Sequence, residues 1–220
     1  MRESGFMFGV AGSFARNTSN VRLKFDGALT FGSVEYVGSY DDGTPVTYSG
    51  IQDTMFEVRA TLGPTAFASA SSALLPYIGL GYRYLVDYAD VMPGGYQRES
   101  NYRYVPIGLD YRSSASGSWQ FGCTLEYDYF LSGTQISHLS DVNPGYNDLT
   151  NEQNDGYGYR ASIRFARSGR HGLIIEPFYK YWKIDQSETA TITCMGVPCG
   201  YGWEPKNNST EYGLRVQMSF

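Results

Sequence analysis

The sequence predicts an all-β fold, an antiparallel transmembrane β-barrel, on three observations. Apolar and polar residues alternate at every second position along almost the whole chain, which places one set of side chains on each face of a strand. No convincing window shows a helical period, and no apolar run reaches the ~18 residues a membrane-spanning helix needs. Third, the polar face interleaves Gly and Ser with charges of both signs, while the apolar face often ends in Tyr or Trp. A soluble sandwich hides its apolar face and scatters Lys and Glu outside. A membrane barrel turns the apolar face to lipid, sets aromatics at its rims, and fills its interior with small and paired charged residues.

The strands are justified in chain order. "GFMFGVAGSF" (5–14) puts Phe6, Phe8, Val10 and Phe14 on one face, and "VRLKFDGALTFGSVEYV" (21–37) sets Val21, Leu23, Phe25, Leu29 and Phe31 against Arg22, Lys24, Asp26, Ala28 and Thr30. "MFEVRATL" (55–62) opposes Phe56, Val58, Ala60 and Leu62 to Glu57, Arg59 and Thr61, and "PYIGLGYRYL" (76–85) opposes Ile78, Leu80, Tyr82 and Tyr84 to Tyr77, Gly79, Gly81 and Arg83. The pattern sharpens in "RYVPIGLDY" (103–111), "WQFGCTLEYDYFL" (119–131), "YGYRASIRF" (157–165) and "LIIEPFYKYW" (173–182). The chain ends in "EYGLRVQMSF" (211–220), with Tyr212, Leu214, Val216, Met218 and Phe220 on one face. These runs exceed the soluble average of about 5–6 residues and suit a tilted membrane crossing.

Composition agrees. The 220 residues suffice for one domain or barrel, and 20 Tyr, 12 Phe and 26 Gly favour strands and tight turns. The mean hydropathy is −0.34. A net charge of −5, with Lys and Arg scattered singly, argues against nucleic acid. No charged stretch followed by an apolar one opens the chain, as expected of a cytosolic protein, a mature chain, or one whose beginning is missing. No cofactor or metal is expected.

Shorter links (about 15–20, 64–74, 113–118 and 167–172) alternate with longer ones (about 41–50, 89–99, 133–155 and 187–206), the asymmetry of outer-membrane barrels. In the last long link, "CMGVPC" brackets a Gly-Val-Pro bend that suits a Cys194–Cys199 disulfide and thus an oxidising compartment. The alternatives are two free thiols or half a metal site that lacks nearby partners. Cys123 is left over.

The terminal "YGLRVQMSF", with Tyr212, Gly213, Leu214 and the final Phe220, resembles the signal by which the barrel-assembly machinery reads the last strand of bacterial outer-membrane barrels. "PYIGLGYRYL", "YVPIGLDY" and "EPFYKYW" resemble strands of an uncharacterised outer-membrane barrel group, distantly similar to OmpA-type and omptin-type barrels. The resemblance implies a bacterial outer-membrane location and contact with lipopolysaccharide and phospholipid. It carries no chemistry with it. A monomer is expected.

Nine strands are counted, whereas single-chain bacterial barrels have even numbers. The expectation is a ten-stranded parent whose first, upward strand precedes Met1, with eight strands as the fallback if the long 21–40 stretch is wrongly divided. On this phase Arg83, Asp110, Glu126, Asp128, Arg160, Arg164, Glu176, Lys180, Glu211 and Arg215 project inward. Glu126 should meet Arg160, and Glu176 should meet Arg164 or Arg215. Such pairing plugs the lumen; the alternative is a narrow charged path for small solutes.

No catalytic residue is assigned. An omptin-like site would need carboxylates and an Asp–His pair at the outer rim. His171 falls on the opposite side, while His138 sits in a long polar loop with Asp141 three residues on. His138 and Ser140 resemble the His-x-Ser of lipid A deacylases over three residues only. The expected role is structural, surface-interacting or pore-forming. An outer-membrane hydrolase and a soluble lipocalin-like barrel are the alternatives.

Overall fold

The computed structural model describes residues 1–39, 43–65, 72–113, 119–167 and 172–219. It is an all-β, antiparallel structure of twelve strands: β1 (Arg2–Asn17), β2 (Val21–Ser39), β3 (Pro45–Pro64), β4 (Ser72–Tyr88), β5 (Gln97–Ser113), β6 (Trp119–Ser137), β7 (Leu149–Gln153), β8 (Gly156–Arg167), β9 (Gly172–Ile184), β10 (Ala190–Cys194), β11 (Val197–Gly202) and β12 (Asn207–Ser219). One sheet runs β1-β2-β3-β4-β5-β6-β8-β9-β12, and β7 also pairs with β6. β7 and β8 lie end to end along β6, with Gln153 opposite Gly133 and Tyr157 opposite Tyr129. β10 and β11 form a separate hairpin, joined across its turn by the Cys194–Cys199 disulfide.

The hairpin turn lies at Met195–Gly196, so of the expected Gly-Val-Pro bend only the glycine turns, while Val197 and Pro198 already belong to β11. Met195 and Gly196 have positive φ, 51° and 82°, as in the two-residue turns whose twist matches the flanking strands.

Three of the expected long links are shorter than the sequence suggested. The β2–β3, β4–β5 and β6–β7 connections reduce to 40–44, 89–96 and 138–148, because the strands continue beyond the readable alternation. For the β2–β3 and β6–β7 links the physical cause is a phase change, since Gly50 on β3 and Leu131 on β6 have no partner across the neighbouring ladder. The β2–β3 register shifts at Val34/Glu35, where Gly50 has φ 93°, and the β5–β6 register shifts at Arg103/Tyr104. A bulge adds one residue on one strand and sends the following side chains to the other face. Pairing therefore persists where the pattern breaks.

The sheet is curled, so strands far apart in the order face each other across one interior. Ion pairs join β2 to β5 (Arg22–Asp110), β3 to β9 (Glu57–Lys180) and β4 to β12 (Arg83–Glu211). The convex face carries the apolar set: Phe121, Leu125, Ile163, Tyr179, Leu214 and Val216 are 40–62 % exposed. β1 and β12 end the sheet, run in the same direction, and have no ladder between them among the described residues.

Small and charged residues do not fill the interior alone, as the sequence suggested. Tyr102, Tyr104, Phe130, Trp182 and Ile184 form a buried cluster toward the long-link end. The rings fit because glycines sit in register beside them. Gly81 is paired with Tyr104, and a Cβ there would lie 2.2 Å from the Tyr104 ring; Gly158 is paired with Trp182, at 3.0 Å. Flat rings cover the missing side chains of the next strand.

Candidate functional site

Glu57 on β3 is the hub of a buried ionic network at the waist of the interior. Its carboxylate accepts the Tyr104 hydroxyl at 2.7 Å, Arg160 Nη1 at 2.8 Å and Lys180 Nζ at 3.1 Å. Lys180 continues to Glu211 at 3.4 Å, and Glu211 to Arg83 at 3.2 Å. Arg160 Nε lies 3.1 Å from Glu126 and also donates to Asp128, while its guanidinium covers the Tyr104 and Trp182 rings. Glu126 pairs with Arg59 and accepts the Tyr77 hydroxyl at 2.6 Å. Arg59 extends the chain to Asp26, which meets Lys24 at 2.8 Å. The backbone alternation explains why all these groups point inward, and pairing is what makes their burial tolerable.

Nearer the short-link end, Asp110 Oδ2 takes both Arg22 and Arg112 at 2.7 Å, and Arg215 pairs with Glu176 at 2.7 Å. The expected Glu126–Arg160 and Glu176–Arg215 pairs therefore form, while Arg164 pairs with neither Glu176 nor any other described carboxylate. None of the ten charges read from the sequence is exposed; each is buried or half-buried.

The sequence reading left Glu57, Arg59, Arg22, Lys24 and Asp26 out of the inward set, although the same alternation placed them opposite the apolar face. Their signal was present in "RLKFD" and "FEVR". A second group had no readable signal. At the long-link end Arg98 binds Asp87 and Glu3, and the Oδ1 atoms of Asp53 and Asp87 are buried without a partner. Arg98 and Asp87 sit next to or inside a stretch that read as loop.

At the C-terminal strand, Tyr212 and Leu214 are exposed outward, and Gly213 lies beside the Phe178 ring. Phe220 and His171 lie outside the described residues.

His138 is held by partners other than Asp141. Its Nδ1 meets Asp148 at 3.0 Å and its Nε2 meets Glu99 at 2.8 Å. Ser140 donates its hydroxyl to Asp148 at 2.6 Å, and Asp141 instead accepts the Gln97 amide at 3.0 Å. With both ring nitrogens on carboxylates, the imidazole clasps the 138–148 link to β5 and directs no lone pair at a substrate. The same link is fixed from above: Asn147 Oδ1 accepts the Thr193 amide at 2.6 Å, and Gly145 O accepts the Met195 amide at 2.7 Å. The long loop is thus tied both to the sheet and to the disulfide hairpin.

Burial lowers the pKa of His138, but its hydrogen bonds to Glu99 and Asp148 outweigh that and raise it above the ordinary 6.5. The Ser140 hydroxyl is the largest influence on Asp148 and holds its pKa below 3.8. A raised histidine contributes stability fully below ~6.5 and loses it as pH rises through the folded value. A lowered carboxylate contributes above ~3.9 and loses it as pH falls through its folded value. The clasp should therefore be tightest between about pH 4 and 6.5. Amide exchange over 138–148, corrected for intrinsic rates, should speed up from pH 6 to 9, and His138→Gln should remove that alkaline dependence. Constant protection across the range would refute the clasp.

No protein-family model matches the chain, and no curated protein matches it either.

Proposed function

We propose that the protein is a bacterial outer-membrane β-barrel whose waist is closed by its own ion pairs, so that its role is structural or surface-interacting. One observation carries this reading: the polarity is inverted. Glu57, Arg83, Glu126 and Asp128 are at most 6 % exposed inside, whereas Leu80, Leu125, Leu214 and Val216 are above 60 % exposed outside. In water that arrangement wastes apolar burial; in a bilayer it is the stable one. The outer tyrosines of β6, β8 and β9, Tyr127, Tyr157, Tyr159 and Tyr181, suit an interfacial aromatic girdle. On this reading the lipid contacts are lipopolysaccharide and phospholipid, insertion uses the barrel-assembly machinery, and the barrel is a monomer.

A ten-stranded ring accounts for the two sheet edges. β1 and β12 run the same way, so an antiparallel closure takes one further strand between them, and unpaired edge groups are costly in lipid. The hydrolase reading gains nothing from His138, whose nitrogens are both engaged.

The test is extraction followed by conductance. The protein should leave the membrane fraction only with detergent and, refolded into planar bilayers, give no stepwise current. Release by salt or alkali alone would overturn the membrane assignment. A steady unitary conductance would replace the plug by the solute path.

A further inference from the structure

The short-link end of the interior contains a cavity of about 140 Å³ whose wall is positive, although the chain as a whole is acidic. Eight Arg and Lys side chains line it against five carboxylates among the described residues. Four of those carboxylates are used in the waist network or its borders: Glu57 by Arg160 and Lys180, Glu126 by Arg59, Asp26 by Lys24, Glu176 by Arg215. Of the remaining three cations, Arg22 and Arg112 pair with Asp110, and Arg164 pairs with none of the five carboxylates.

That one carboxylate does not satisfy three guanidiniums. Arg22 and Arg112 share the same oxygen, Oδ2. Arg22 is 8 % exposed, and its buried Nε has no acceptor. Arg164 makes no ion pair or hydrogen bond with a described side chain; Arg112 and Arg22 repel it, while Glu176 and Asp110 attract it only from beyond ion-pair distance. The backbone brings the last two together. Arg112 and Arg164 are each paired with Gly122, and a Cβ on Gly122 would sit 3.6 Å from Arg164 Cβ and 3.9 Å from Arg112 Cγ. The glycine leaves the space between them open. An arginine fork of this kind matches the oxygens of phosphate, with two parallel N–H donors per guanidinium. The cavity also has room, since a water takes up ~30 Å³.

We propose that this end of the interior binds a phosphate-class oxyanion, either inorganic phosphate or the phosphomonoester of a small solute, held by Arg22, Arg112 and Arg164. The dianion supplies the negative charge and the acceptors that Asp110 alone cannot. Arg112, whose side chain is 36 % exposed, is the entry side of the site. The proposal depends on the interior geometry and not on the membrane reading, so either can fail without the other.

The experiment titrates inorganic phosphate into the full chain folded in a maltoside detergent, at constant ionic strength set with chloride, and reads binding by phosphorus NMR and calorimetry. Saturable binding at one site is expected. Arg164→Gln and Arg112→Gln should each weaken it about tenfold, the value of one charge-assisted hydrogen bond. Arg164→Lys, which keeps the charge and folds most like the parent, should recover part of the loss. Arg103→Gln, on the exposed face, should change nothing. Competition distinguishes the source: displacement by glycerol phosphate means a soluble ligand, and displacement only by a short-chain phosphatidate in the micelle means a lipid headgroup. Absence of saturable binding would overturn the proposal. So would binding that survives both glutamine variants in protein whose circular dichroism is unchanged.

Discussion

Replacing Glu57 with alanine should destabilise the folded protein by about 3–5 kcal/mol, the cost of leaving a buried charge without its partner. The reason lies in what the carboxylate holds: Arg160, Lys180 and the Tyr104 hydroxyl converge on it from three other strands. Arg160 retains Glu126 and Asp128, and Lys180 retains Glu211. The interior would nevertheless carry one uncompensated positive charge where water is scarce. Glu57→Ala combined with Lys180→Met restores the balance and should recover part of the loss, as expected for residues in one network. Urea unfolding of the detergent- or lipid-refolded protein, followed by tryptophan fluorescence, measures both. A single-variant loss below ~1 kcal/mol, typical of exposed pairs, would show that the network is hydrated and weak.

Leu125→Arg separates the membrane reading from an aqueous one. Leu125 is 62 % exposed in the middle of the outer face of β6, opposite Leu109 and Ala161 on the neighbouring strands. At the bilayer midplane an outward arginine costs about 2–4 kcal/mol. On a water-facing surface the same change stays within about ±0.5 kcal/mol. Unfolding titrations in phospholipid vesicles should return the larger figure, and the cost should shrink for Trp119→Arg, near the strand's start. Equal and negligible effects at the two positions would remove the membrane from the account.

Both predictions concern faces, and the faces were legible. "FEVRATL" and "CTLEYDY" already place Glu57, Arg59, Glu126 and Asp128 opposite their apolar neighbours, because the period of a strand is two residues. The pair Glu126–Arg160 followed from adjacency of neighbouring strands, the usual antiparallel connection, while for Glu176 adjacency offered both Arg164 and Arg215 and the structure takes Arg215. Legibility stopped at each bulge. Past Val34/Glu35 and Arg103/Tyr104 the extra residues, Gly50 on β3 and Leu131 on β6, invert the phase of 45–49 and 132–137, so these long-link ends read as loop although they are paired.

The cross-interior contacts were not legible at all. Nothing in the local pattern says that Glu57 on β3 meets Lys180 on β9, or that Arg22 on β2 meets Asp110 on β5. Nor does it say that His138 chooses Asp148 and Glu99 over the nearer Asp141. The sequence by itself determined the strand class, the inner and outer faces and the disulfide, since each depends on residues a few positions apart. Only the tertiary structure decided which charges neutralise one another and which, like Arg164, are left over. That choice depends on how far the sheet curls, and curl is the sum of small twists over every strand, written at no single position.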